Sequence, residues 1–399
     1  MSSGGNVRAA IYQTESRDEW VSKEAAPAHA ISIPVCRPRL PDAEALIPYL
    51  RRIDETRIYA NHGPLESALE ARLSRRFDLP AGCVTLSSSG AMALTGAILG
   101  HAGRASAGRP VCLTPAFGFV ASAAAAALCG YEVRFVDIDP ESWAMDPTAL
   151  LARPDLKQVG LILPVAPYGR RIDLANWALV QKHTGIPVVI DAAASADTLI
   201  LPRADQAAPP VCLSLHATKS LGAGEGGAIL CADTDVIREC RAALNHGFMG
   251  SRESLRPNTN GKMSEYHAAV GLAAMDALEA GFEEFDFVAA SYRKALAEGS
   301  KGVSVHLAPD ISRTYCLAEF PDAAAMKRTR KRMLERGVET RSWYGPGLHI
   351  EPAFRDYPRD NLQNTEDLAG RLLGLPMHRD LTPCEVSQIT FLLLQGAVI

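Results

Sequence analysis

The sequence contains no C-x-x-C pair, although it carries nine cysteines: Cys36, Cys83, Cys112, Cys129, Cys212, Cys231, Cys240, Cys316 and Cys384. Thiols scattered in this way, mostly inside apolar runs, read as reduced interior residues. Long hydrophobic runs are missing too. The longest alanine-rich stretch, "VASAAAAALCG", is too short to span a bilayer. The first twenty residues lack the basic start and apolar centre of a secretory signal, so the expected location is the cytoplasm. Charge of one sign is scarce: 41 Lys and Arg against 45 Asp and Glu leave a formal charge of −4, with no general attraction to nucleic acid or an anionic membrane. No G-x-x-x-x-G-K-[ST] occurs, which excludes a P-loop. There is no internal repeat and no long charge block. What remains is small-molecule chemistry, in a chain whose 399 residues call for two domains and a pocket between them.

Residues 1–34 are polar and irregular and are read as an arm. From Val84 onward, short β-branched runs alternate with helical patterns: "CVTL", a helix at "SSSGAMALTGAILG", "PVCLTP", a helix through "FVASAAAAALCG", "EVRFVDID", a helix near 147–152, "VGLILPVA" and a helix over 173–183. This rhythm predicts βαβ units and a mostly parallel sheet. It then changes. "PVVIDAA", "VCLSLHA" and "AILCAD" follow with little room for helices, and the loop between the last two is too short for a parallel crossover. One reversed strand is therefore expected in the sheet. After a helical stretch over about 264–298 the tail reads as α+β: "VSVHLA", "TYCLAEF", a charged helix over 322–336, "ETRSW" and a last helix over 383–394. The expected division is a large domain over 35–285 and a small α+β domain over 286–399.

Five motifs invite a chemical reading. "SSSGAMAL" puts small residues between a strand and a helix, which suits a phosphate and equally suits a plain serine cap. "VVIDAAASAD" ends a buried strand with Asp191, at the sheet edge where ligands of open α/β folds collect. Alone, Asp191 could cap the next segment or help to hold a magnesium ion. "PAFGF" follows another strand with Phe117 and Phe119, a pair that by itself reads as core. "GAGEGG" mimics a dinucleotide fingerprint, but a strand rather than a helix follows it, so its glycines are read as allowing close backbone approach. "HATK" places Lys219 in the turn before those glycines. A lone lysine is usually a solvated charge. Together with an anion cup, a strand-end acid and an aromatic shelf, Lys219 completes what pyridoxal 5'-phosphate requires: an amine for a Schiff base, an acid facing the pyridine nitrogen, a flat apolar face and a phosphate site.

These residues resemble the DegT/StrS-type sugar aminotransferase family of fold-type-I pyridoxal-phosphate enzymes. The similarity runs from "RIYANHGPLESALEARLSRRF" through "ETRSWYGPGLHIEPAF" and "NTEDLAGRLLGLPMHRDLT" to the carboxyl terminus. The resemblance implies an aspartate-aminotransferase-like α/β fold with a mostly parallel seven-stranded sheet, one antiparallel strand and a smaller α+β C-terminal domain. It makes Lys219 the Schiff-base lysine and general acid/base, and Asp191 the partner of pyridine N1. Phe119 matches the residue stacked on the ring, Ser214 a serine on the phosphate, and Gly90, Ala91 and Met92 the backbone of the cup. Asn260, in "TNGKMSE", matches an asparagine donated across a homodimer to the other subunit's phosphate. Ala91, Ala194, Lys262 and "VAPYG" stand where the family more often has threonine, glutamine, arginine and "VHLYG". The implied reaction moves an amino group, with glutamate as donor, to a keto-sugar linked to a nucleotide. A non-sugar keto acceptor and a non-catalytic cofactor-binding sensor are the alternatives.

Overall fold

The protein, seen in a computed structural model, is described over residues 31–396 except 204–207, 298 and 300–301. Of the arm read at 1–34, all but the last four residues lie outside the described residues. Two helices, α1 (Ala43–Thr56) and α2 (Pro64–Arg76), precede an alternation of β1 (Val84–Ser87), α3 (Gly90–Ala97), β2 (Val111–Pro115), α4 (Val120–Leu128), β3 (Glu132–Val136), α5 (Pro147–Leu151), β4 (Val159–Ile162), α6 (Leu174–Thr184) and β5 (Ile190–Asp191). Strands β6 (Val211–Ser214) and β7 (Gly227–Leu230) follow one another without a helix between them. Helices α7 (Thr234–Leu244), α8 (Glu265–Asp276) and α9 (Leu278–Ala295) come next.

Hydrogen-bonded neighbours run β1-β7-β6-β5 and β3-β2-β4. Parallel bridges Ile162–Val188 and Val165–Asp191 join β4 to β5, giving one sheet in the order 3-2-4-5-6-7-1. Its paired strands are parallel except where β7 is involved, which runs antiparallel to both β6 and β1. This is the reversal expected from the short connection at residues 215–226. The alternation of side chains along each strand sorts the two faces. Val211 and Leu213 enter a core with Leu69, Trp177 and Leu272. Cys212, on the opposite face, packs with Leu94, Ala126 and Leu244.

The edge strand β1 would expose unpaired backbone groups. An ion pair covers them: Leu86 N–H donates to Glu70 Oε1 at 3.3 Å, and Arg241, bonded to both Glu70 oxygens at 2.8 Å, also donates to the Val84 carbonyl at 3.2 Å. Burial pushes the Glu70 carboxyl up while Arg241 pulls it down.

The tail forms a second, antiparallel sheet of β8 (Ser304–His306), β9 (Cys316–Glu319) and β10 (Leu372–Leu375), in the order β10-β9-β8, with α10 (Ala323–Glu335), α11 (Gln363–Arg371) and α12 (Pro383–Gly396). Two expectations are corrected here. "ETRSW" is not a strand; it touches the sheet through a single Arg341–Gly374 bridge. The strand at Leu372–Leu375 was missed because it follows α11 directly, with no turn residue to announce it. Ile33 bridges Val338, and Ser32 N–H donates to the Gly337 carbonyl, so residues 32–33 pack on this tail. Helix α9 runs between the two cores: Phe282 belongs to the first, Val288 and Tyr292 to the C-terminal one.

Candidate active site

Because β1, β2, β5 and β6 point the same way, their carboxyl ends meet at one edge. The register pairs Ser87 with Gly227 and Gly227 with Ser214, which sets the ends of β1, β7 and β6 in one row. Glycine is required at two points of this row. A Cβ on Gly227 would lie 2.5 Å from the Ser89 carbonyl oxygen, and one on Gly90 would lie 2.8 Å from Ser214 Cβ. Helix α3 therefore starts directly against Ser214. Ser89 caps it by accepting from Met92 N–H at 3.2 Å. The N–H groups of Gly90 and Ala91 are among those a helix leaves without an intrahelical partner. Small residues, a free helix end and the Ser214 hydroxyl form a donor set of the kind that holds a phosphate.

The loop before β7 carries Lys219. It closes on itself through Leu215 N–H to Gly226 O at 2.8 Å, Ala217 N–H to Gly224 O at 2.9 Å and Lys219 N–H to His216 O at 2.9 Å. Gly224 adopts φ +82°, a left-handed conformation suited to glycine. Asp191, at the end of β5, is buried, and its carboxyl is pushed up by that burial. The hydroxyl of Ser122 on Oδ2, the N–H of Ala193 on Oδ1 at 3.0 Å and the charge of Lys219 pull it back down. Lys219, distant in the chain, is thus near enough for its charge to act on Asp191.

Above Lys219 stands a wall from the tail. Lys219 Nζ donates to Tyr315 Oη at 3.0 Å. The Tyr315 ring packs edge-on against Tyr168 at 5.3 Å and Trp343 at 5.5 Å, and Tyr344 stacks on Tyr168 at 4.3 Å. A cavity of about 430 Å³ reaches from Lys219 and Tyr315 toward Arg39, His378 and Arg379. Tyr315, Trp343, Tyr344 and Ser122 were not singled out in the sequence. Ser122 alone left a faint signal, as a small polar residue in the first turn after "PAFGF".

The two phenylalanines part ways. Phe117 is buried edge-on to Tyr344 at 5.1 Å, whereas Phe119, the residue just before α4, has 59% of its surface exposed. Ala194 is buried and packs against Gly169. Asn260 lies at the surface, its Oδ1 accepting from Lys262 Nζ at 2.7 Å. Its neighbour Gly261 accepts from Ser88 N–H at 2.7 Å, so this segment adjoins the cup of its own chain.

The model of the DegT/DnrJ/EryC1/StrS aminotransferase family matches residues 42–393. The chain belongs to this family. Among relatives of this DegT/DnrJ/EryC1/StrS aminotransferase, Protein Rv3402c of Mycobacterium tuberculosis is 27% identical over 368 residues, covering 90% of this chain and 88% of its own. The dTDP-4-amino-4,6-dideoxy-D-glucose transaminase of Shigella dysenteriae is 27% identical, covering 87% and 94%. Among solved structures, DesI in the presence of its TDP-sugar product superposes with a TM-score of 0.81 at 27% identity, covering 93% of this chain and 94% of that one. The DegT-family aminotransferase fold is therefore that of fold-type-I pyridoxal-phosphate enzymes, as the sequence led one to expect.

Proposed function

We propose that this aminotransferase takes an amino group from glutamate and delivers it to a keto-sugar carried on a nucleotide, using pyridoxal 5'-phosphate. The observation that carries this reading is the meeting of Lys219, Asp191 and Ser214 against the start of α3 at one sheet edge. The residues present fit the cofactor. Ser214 and the N–H groups of Gly90 and Ala91 would hold its phosphate, with Met92, whose N–H is held by Ser89, completing the backbone of the cup; Phe119 would cover its ring, and Asp191 would face its pyridine nitrogen. When bound, the cofactor supplies an aldehyde that condenses with amines and a protonated ring that draws electrons from the substrate carbon. Asp191 would keep a proton on that nitrogen, with Ser122 and Ala193 holding the carboxylate in place. Lys219 would hold the cofactor through its Nζ, and that amine would take the proton from the donor's Cα and return one to the acceptor's carbon.

The named substrates of the Shigella relative and of DesI support a nucleotide-linked sugar as acceptor. Exposed Tyr59 and Tyr266, stacked at 6.3 Å, and exposed Phe119 support a homodimer with shared sites, in which Asn260 serves the partner's phosphate. Nine unpaired cysteines support a reducing compartment such as the cytoplasm. Among the described residues no helix is long and apolar enough to cross a membrane. The passage of α9 between cores supports the division into 35–285 and 286–399.

The test is incubation with pyridoxal phosphate, borohydride reduction and peptide mass spectrometry, with the adduct expected on Lys219. Glutamate alone should bleach the visible absorbance, and a dTDP-linked keto-sugar should restore it. A protein that keeps its colour with glutamate is a binder without turnover. Faster restoration by a non-sugar ketone would overturn the sugar assignment.

A further inference from the structure

We infer that Tyr315 is a positioning residue for Lys219, and that the carboxylate of Asp197 sets this contact by gripping the loops of both. The 3.0 Å bond from Lys219 Nζ to Tyr315 Oη joins groups 96 positions apart. Among the described residues, Lys219 has no carboxylate within ion-pair distance, so the phenol is its side-chain partner. That choice of partner suits an amine that changes state. A carboxylate can only accept, which favours the ammonium and fixes its charge. A tyrosine hydroxyl accepts from the ammonium and donates to the lone pair of the free amine, so it holds Nζ in both states.

Tyr315 is itself fixed. Trp343 and Tyr168 meet its ring edge-on, and Tyr315 N–H donates to Ser312 O at 3.0 Å. Asp197 supplies the link between the two parts of the chain. Its side chain is fully buried; Oδ1 accepts from the hydroxyl of Ser220 at 3.0 Å and Oδ2 from Arg313 N–H at 2.8 Å. One carboxylate therefore holds the residue just after Lys219 and the residue two before Tyr315. The guanidinium of Arg313 lies 3.8 Å from the same oxygen and pairs with Asp286 at 3.0 Å, which balances the buried charge. Tyr315 thus comes to the amine on a tether anchored in the large sheet's own loop.

The catalytic consequence rests on the role proposed above for Lys219, whereas the contact can be measured without cofactor. In apoprotein at alkaline pH, trace acetylation with acetic anhydride is read peptide by peptide. Tyr315→Phe keeps the ring and removes the hydroxyl, so Lys219 should label about threefold faster relative to the other lysines, as loss of one neutral hydrogen bond predicts. Asp197→Asn, close in shape, should raise it about twofold, and gives a second reading if the Phe variant does not fold. In the loaded enzyme, Tyr315→Phe should lower kcat for glutamate about tenfold and leave its KM within about twofold, the pattern of a group that acts on the reacting amine. Unchanged labelling in both variants overturns the assignment. So does a loss of kcat matched by an equal rise in KM, which marks a loosened pocket. Faster labelling without a borohydride adduct on Lys219 would keep the contact and reject the cofactor reading instead.

Discussion

Lys219 is approached from two sides that come to it by different routes. On one side lies the carboxyl edge of the large sheet, where Asp191, Ser214 and α3 stand at the ends of strands. On the other lies the wall of Tyr315, Trp343 and Tyr344, contributed by the tail. On the edge, each side chain is placed by the backbone that immediately precedes it, so position along a strand becomes position in the site. The wall is placed by packing between distant segments. In the proposed reading, the edge holds the groups that the chemistry demands, and the wall holds groups that tune them.

That division predicts different responses of the two sides to substitution. The largest effect belongs to the edge. Lys219→Ala should abolish transamination while pyridoxamine phosphate still binds, measurable by retained fluorescence of the bound cofactor against absent turnover. Asp191→Asn comes next, with a fall in kcat on the order of 100-fold. The same change should raise the melting temperature of the apoprotein at neutral pH. Burial lifts the Asp191 carboxyl above its unfolded value, so the folded state loses stability as pH rises through the carboxylate range, and asparagine removes that cost.

These two effects concern residues that could be read from the sequence. The strand before Asp191 and the turn around Lys219 are local signals, and the order of cup, shelf, acid and lysine made them mutually supporting. The reversed β7 was legible for the same reason, since residues 215–226 leave no room for a crossover. Tyr315 was not. Its neighbour Cys316 opens a strand in the C-terminal sheet, and nothing within its own segment distinguishes a tyrosine that meets a lysine from one that fills a core. Leu372–Leu375 escaped because a strand fused to a helix carries no boundary residue. Phe119 and Phe117 form an identical pattern in sequence, and only tertiary packing buries one and leaves the other open.

Ser122 lies between the two cases, so its variant sharpens the comparison. Its hydroxyl is the foremost group drawing the buried Asp191 carboxyl down. Ser122→Ala should therefore let the carboxyl rise further. The carboxylate is then lost at a higher pH on acidification, so the acid limb of the pH–rate profile moves upward. About tenfold should be lost at its acid end and little at its alkaline end.

The smallest effect tests a contact that supports the edge from outside. Glu265, buried, accepts from Leu65 and Glu66 N–H at 2.8 Å each, and so caps the start of α2, whose own cap position is Gly63. Glu265→Ala leaves both donors unpaired and should destabilise the protein by about 2 kcal/mol in urea unfolding, with kcat nearly unchanged.

The reversed strand also imposes a timetable. Among the described residues, the strand beside β1 is β7, which is synthesised some 140 residues later. On a ribosome, the segment that begins the proposed phosphate cup must wait, without a partner strand, until the hairpin bearing Lys219 has emerged. A nascent chain arrested before Gly227 should hold no vitamin, and one extended past Leu230 and clear of the exit tunnel should begin to acquire the means to do so.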